Sequence, residues 1–185
     1  MKTQESKLLK LNLGCGDRAI PGFVNIDARD AENTDVILDL FEVGQIYENQ
    51  CSLLYSCHVL EHFKKKDIKE LLTSWAKSLV SGGTIRLSVP NFDNVVDYYR
   101  LTKDIVSLQS FLHGGQKYPL DYHYISFNFE FLESILEEVG FCNVRLYDYK
   151  DTEHFYIDDY SQSYLPHMDK THGMLMSLNV EATKL

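Results

Sequence analysis

The chain has 185 residues, 44% of them hydrophobic and 24% charged, which is enough to close one core without disulfides or metals. Its net charge of −9 argues against a nucleic-acid partner, because phosphate backbones are held by concentrated Lys and Arg. Cys15, Cys51, Cys57 and Cys142 form no CxxC pair and MKTQESK has no apolar signal region. The expectation is therefore a reduced, cytoplasmic chain, one domain over residues 1–185, with no membrane span.

In chain order, LLKLNL (residues 8–13) reads as a buried parallel strand, and it ends in Gly14-Cys15-Gly16. Glycines at a strand exit let the backbone turn sharply and approach a ligand. VNID, Val24 to Asp27, is a second strand with a carboxylate at its exit. Such a carboxylate can accept both hydroxyls of a ribose, as in nucleoside-binding α/β folds. An ordinary strand, a tight turn and a surface Asp would carry the same letters. Pro21-Gly22 breaks any helix between Gly16 and Val24, leaving room for about one turn. A conventional dinucleotide site fits less well, since it needs a third glycine opening a helix and an acid ~20 residues on. Val36 to Leu40 is a third apolar run, with Asp39 near its end, and Ser52 to Cys57 is a fourth, leading into His58-Val59-Leu60-Glu61-His62.

Ile68, Leu71, Leu72, Trp75 and Leu79 recur on one face of a 3.6-residue period, predicting a packed helix over 67–79. Asp67 and Glu70 have the form of a capping box, and Ser81-Gly82-Gly83 ends the element. A fifth strand runs to Val89-Pro90, and one or two helices follow between Asn91 and Leu112. Residues 113–127, HGGQKYPLDYHYISF, form a loop. Asn128 caps a further helix with Leu132, Ile135, Leu136 and Val139 on one face, and Gly140 stops it. A strand over Phe141–Tyr149 and a strand-like tail over 174–184 complete the pattern. The long segment 150–173 is rich in Tyr, Phe and Leu, which argues for an ordered, functional insertion.

The set LNLGCG, NID, HVLEH, LVSGGTIRLSVPN and LEEVGF resembles the class I S-adenosylmethionine (SAM)-dependent methyltransferases, and within them the small bacterial branch associated with cell-surface polysaccharide and other glycan pathways. The resemblance covers nearly the whole chain, most specifically residues 8–90 and 128–149. It implies an α/β Rossmann-like three-layer sandwich with a mostly parallel seven-stranded sheet, the tail forming its antiparallel edge strand. It also implies SAM as cofactor, with Gly14, Cys15, Gly16, Asp27, Ala28, Asp39, Leu40 and His58 as binding residues. Gly14 to Gly16 and His58 would then face the methionine end, and Asp39-Leu40 would border adenine. Two departures stand out: the short link before Val24, and Ser52 where relatives commonly carry Asp.

Methyl transfer is an in-line displacement, and a hydroxyl acceptor needs a base. His123, with Asp121 two residues earlier, is the first choice, followed by His58 and His113. Loops 113–127 and 150–173 would cover the acceptor, expected to be a sugar or sugar-linked small molecule: aromatic rings cover sugar faces and carboxylates accept hydroxyl protons. HVLEH also matches the HxxEH zinc-peptidase motif, but that needs both histidines on one helix face, and His58 is placed at a strand exit. The expectation is that no metal is held. A SAM-binding module without turnover and a nicotinamide-dependent reductase stay open as alternatives.

Overall fold

The computed structural model describes residues 7–185. Its elements are β1 (Leu9–Leu13), β2 (Val24–Asp27), β3 (Val36–Ile37), α1 (Val43–Ile46), β4 (Cys51–Cys57), α2 (Ile68–Ser78), β5 (Leu79–Pro90), α3 (Phe92–Thr102), α4 (Gln109–His113), α5 (Phe129–Glu138), β6 (Phe141–Leu146), β7 (Tyr164–Leu165), β8 (Met174–Leu175) and β9 (Ser177–Lys184). Seven strands form one sheet in the order β3-β2-β1-β4-β5-β9-β6, and β7 pairs with β8 in a separate hairpin. The pairs from β3 to β5 are all parallel, whereas β9 runs antiparallel to both β5 and β6. The tail is thus the antiparallel strand, but it sits one place inside the sheet, and β6 takes the edge. The edge placement drawn from the resemblance is therefore corrected: alternation marks the tail as a strand but does not say which neighbours it will find.

Strand residues alternate between two unlike faces. Leu11, Leu13, Leu54, Ile85, Leu87 and Val180 pack with residues of α1, α2 and α5 in the largest core cluster. Trp75 is fully buried there and its indole N–H donates to Leu40 O at 3.0 Å, so it is a core residue, as expected. α2 buries the predicted face, but Asp67 makes no side-chain cap and the capping box does not form. β5 begins directly after α2. Gly82 and Gly83 sit where β5 loops out of register with β4, between the pairs Cys51–Leu79 and Leu53–Thr84. Gly82 has φ +78°, a conformation that glycine adopts without strain. Asn128 accepts from Phe131 N and caps α5 as predicted, while β6 ends at Leu146, short of Tyr149.

The opposite face carries Lys10, Asn12, Leu53, Tyr55 and Arg86, and no helix from the β1–β2 link lies over it. Residues 14–23 form turns only. Two buried asparagines hold that link in place of a helix: Asn12 Nδ2 donates to Arg18 O (2.9 Å) and to Asn25 Oδ1 (3.0 Å), which also accepts from Ile20 N (2.8 Å). Ile20 and Phe23 then pack on Leu53 and Tyr55. The insertion packs on this face as well. Glu153 pairs with Lys10 (2.9 Å) and Arg86 (2.7 Å), and Arg86 continues to Glu181 (3.0 Å) and so to Arg145 (2.7 Å).

Candidate active site

Every predicted site residue except His113 and His123 belongs to the exits of β1, β2, β3 and β4, the edge where open α/β sheets bind ligands. Gly14 and Gly16 have φ +69° and +51°. A Cβ on Gly14 would overlap the side chain of Val59, so this position needs glycine for space as well as for conformation. Asp27 is buried and tied to the turn: Oδ2 accepts from Gly16 N at 2.8 Å, and Oδ1 accepts from Arg29 N (2.9 Å) and Arg29 Nε (3.1 Å). Burial pushes this carboxyl up, but the bonds from Arg29 and Gly16 outweigh it and hold it below the usual range. Arg29 also lies over the Tyr118 ring at 5.0 Å, which brings loop 113–127 to the exit of β2.

Cys15 is buried and Ala28 exposed. Asp39 is exposed and accepts from Phe41 N (3.0 Å), capping a short turn over Leu40–Glu42. Leu40 turns into the core, so of the expected pair only the Asp39 side chain faces outward. A cleft of about 410 Å³ opens beside the glycine turn, lined by Asp17, Ala19 and, from the insertion, Tyr156 to Asp158.

At the exit of β4 the chain is strained. His58 has φ +53°, unusual for a residue with a Cβ, and is held by a bond from its N–H to Ser88 O (2.8 Å). Its ring is largely buried. Ser177 Oγ donates to Tyr160 O, so His58 Nε2 must be the donor in its 2.7 Å bond to Ser177 Oγ. Nδ1 is left as an acceptor, 3.3 Å from Glu61 Oε1. The short turn Leu60–His62 buries Glu61 completely, and neither carboxyl oxygen has a hydrogen-bond partner among the described residues. Burial pushes Glu61 up to about 8. Burial likewise pushes His58 down to about 3, helped by neighbouring His123 and His62, so near neutral pH His58 is uncharged and Glu61 holds its proton.

Loop 113–127 is strapped across this exit. Tyr124 N donates to Glu61 O (2.8 Å) and His62 Nδ1 to Tyr122 O (3.1 Å). His123 Nδ1 donates to Phe111 O (3.0 Å), which leaves Nε2 facing Glu61 Oε1 at 3.9 Å. Burial lowers this imidazole to about 4. Asp121, two residues before His123, bonds within its own turn: its Oδ2 accepts from Lys117 N (3.1 Å) and its backbone O from Gln116 N (3.0 Å). A Cβ on Gly114 or Gly115 would run into Asp121, so these glycines allow a tight, self-bonded turn. His113 ends α4 and is exposed.

The insertion supplies Tyr160, whose ring lies 5.4 Å from that of His58. His154 faces inward instead, buried against Tyr55 (4.3 Å between rings). Tyr118, Tyr122 and Tyr124 of the loop, with Phe155, Tyr156 and Tyr160 of the insertion, remain exposed. Two features escaped sequence reasoning: the Asn12–Asn25 pair, and the convergence of His62 with Glu61 and His123. The HVLEH letters carry part of the second, but nothing local places His123 beside them.

No protein-family model matches the chain, and no curated protein matches it. Solved structures do. A SAM-dependent methyltransferase from Archaeoglobus fulgidus superposes with a TM-score of 0.59 at 16% identity, over 97% of this chain and 87% of that one. The 1,6-didemethyltoxoflavin-N1-methyltransferase of Burkholderia thailandensis, solved with bound 1,6-didemethyltoxoflavin and S-adenosylhomocysteine, gives 0.60 at 12% identity, over 95% of this chain and 70% of that one. Human N-acetylserotonin methyltransferase in complex with SAM gives 0.55 at 14% identity, and here the chain covers 47% of the other's length. The fold of this chain is the Rossmann-like fold that these methyltransferases share.

Proposed function

We propose that the chain is an enzyme that transfers a methyl group from SAM to an oxygen of a sugar or sugar-linked small molecule. One observation carries the reading: the Gly14–Gly16 turn is hydrogen-bonded to the buried Asp27 carboxylate at the strand exits of a sheet whose fold superposes on SAM-dependent methyltransferases. The donor set suits the cofactor, with an anionic acceptor for ribose hydroxyls beside a turn whose first glycine admits no side chain. Bound SAM would supply an electrophilic methyl carbon on a sulfonium.

In this reading Asp27 accepts the ribose hydroxyls, exchanging Arg29 side-chain bonds for them. Gly14, Cys15 and Gly16 approach the methionine end, and Ala28 and Asp39 border the adenine. Leu40 contributes through its backbone, and His58 holds the shape of the β4 exit. The acceptor enters under loop 113–127 and the insertion, where exposed tyrosines offer faces for sugar rings and Asp158 offers an acceptor for hydroxyls. As the C–O bond forms, the hydroxyl proton passes to His123 Nε2, with exposed His113 as the further choice. The test is incubation with methyl-labelled SAM and a panel of nucleotide sugars and oligosaccharides, read by mass spectrometry. Labelled, base-stable methyl ethers and stoichiometric S-adenosylhomocysteine are expected. Label on nitrogen or carbon only, or SAM binding without turnover on any acceptor, would overturn the sugar-oxygen assignment.

A further inference from the structure

From the juxtaposition of Glu61, His62 and His123 we infer that the chain binds one divalent transition-metal ion between the β4 exit and loop 113–127. One ligand atom from each of the three residues lies within 4.8 Å of the others. An imidazole–carboxylate tetrahedral sphere has edges of about 3.3 Å, so the set needs to contract by roughly an ångström or more. This departs from the sequence expectation that no metal is held.

Proton accounting supports the assignment. His62 and His123 each give their Nδ1 proton to a backbone carbonyl, of Tyr122 and of Phe111. Metal-binding imidazoles are oriented in this way: one nitrogen is fixed by a hydrogen bond and the other keeps its lone pair for the ion. The Glu61 carboxyl lies in the same space, fully buried, with neither oxygen hydrogen-bonded. A proton on Glu61 could be shared with His58 Nδ1 at 3.3 Å. That would leave the second Glu61 oxygen buried without a partner among the described residues, beside two Nε2 atoms whose lone pairs are not used by the fold. A cation would partner the orphaned carboxyl and take both lone pairs.

Two imidazoles and one carboxylate suit zinc, iron(II), cobalt(II) or manganese(II) better than calcium or magnesium, which prefer all-oxygen sites. Three protein ligands also leave coordination positions open. The site itself does not depend on the methyl-transfer reading. Its use does: an acceptor oxygen filling an open position would be acidified and held beside the cofactor, with His123 then a ligand and not the base.

The experiment titrates Zn2+ by calorimetry, and Co2+ by its visible absorption, into chelator-stripped full-length protein without cofactor or acceptor. One ion per chain with a micromolar or lower Kd is expected, with Co2+ bands typical of nitrogen and oxygen ligands. His62→Ala and His123→Ala should each weaken binding at least ~10-fold, judged against the ~10–100-fold cost of losing a mere supporting contact. His172→Ala, whose side chain is 83% exposed, should leave it unchanged. Absence of stoichiometric binding, or binding that both site variants leave intact, would overturn the proposal. If His123→Ala does not fold, His62→Ala and the Co2+ spectrum decide. Because no SAM is present, failure here leaves the methyl-transfer reading standing, and failure of that reading leaves the metal titration meaningful.

Discussion

Asp27 and Glu61 are both buried carboxyls at the same edge of one sheet, and their surroundings differ in nearly every respect. Asp27 takes bonds from Gly16 N and from the backbone and side chain of Arg29, and its affinity for protons is lowered. Glu61 takes no hydrogen bond from the described residues, and burial raises it to about 8. A carboxyl with several donors is a finished piece of structure that can exchange them for ligand hydroxyls. A carboxyl with none is incomplete until a proton, a cation or a substrate arrives. In the proposed reading the difference separates a cofactor-binding half from an acceptor-side half, and each half can be perturbed by itself.

The largest effect is expected on the Glu61 side. His123→Ala should lower turnover by at least ~10²-fold, whether the residue takes the proton itself or holds the ion that acidifies the acceptor, while SAM affinity holds. Steady-state kinetics beside calorimetry would check this, and a parallel fall in SAM affinity would break the division between halves. Gly14→Ala strikes where the halves touch. A positive φ costs ~1–2 kcal/mol with a Cβ, and overpacking against Val59 adds ~1–3 kcal/mol. Urea unfolding should register the sum, and adding Val59→Ala should recover the packing share only.

Arg29→Ala sharpens the Asp27 side. Its side chain is 40% exposed, so the pair is worth ~0.2–1 kcal/mol after screening. Removing a competitor for the carboxylate should therefore tighten SAM by about 1.4- to 5-fold, whereas weaker binding would mean that Arg29 itself contacts the cofactor. The smallest effect is in acid. Asp27 has its folded pKa depressed, so its stabilisation is fully present above the unfolded value of about 3.9 and is lost as pH falls through the folded value. Asp27→Asn should flatten thermal stability in that window and leave its slope near neutral pH unchanged.

The Asp27 half was readable because it is local: Gly14 and Asp27 end consecutive strands, and Pro21-Gly22 announces that no helix intervenes. What replaces the helix was not readable. Asn12 and Asn25 look like ordinary polar positions of alternating strands, and only the register of β1 on β2 brings them together. The Glu61 half depends on distant partners. His58 is fixed by Ser177, 119 residues away, and His62 by a carbonyl 60 residues away. The same limit put the tail strand at the edge, since its place between β5 and β6 is settled by pairing and not by pattern.

The central claim is that Asp27 and the glycine turn hold SAM. Calorimetric titration of SAM, S-adenosylhomocysteine and NAD into the chain and into Asp27→Ala tests it most directly. Two charge-assisted hydrogen bonds at roughly 1.5–3 kcal/mol each are at stake. The account predicts one SAM or S-adenosylhomocysteine per chain, no NAD, and affinity at least ~100-fold weaker in a folded Asp27→Ala variant. NAD binding in place of SAM, or SAM affinity unchanged by the substitution, would contradict it.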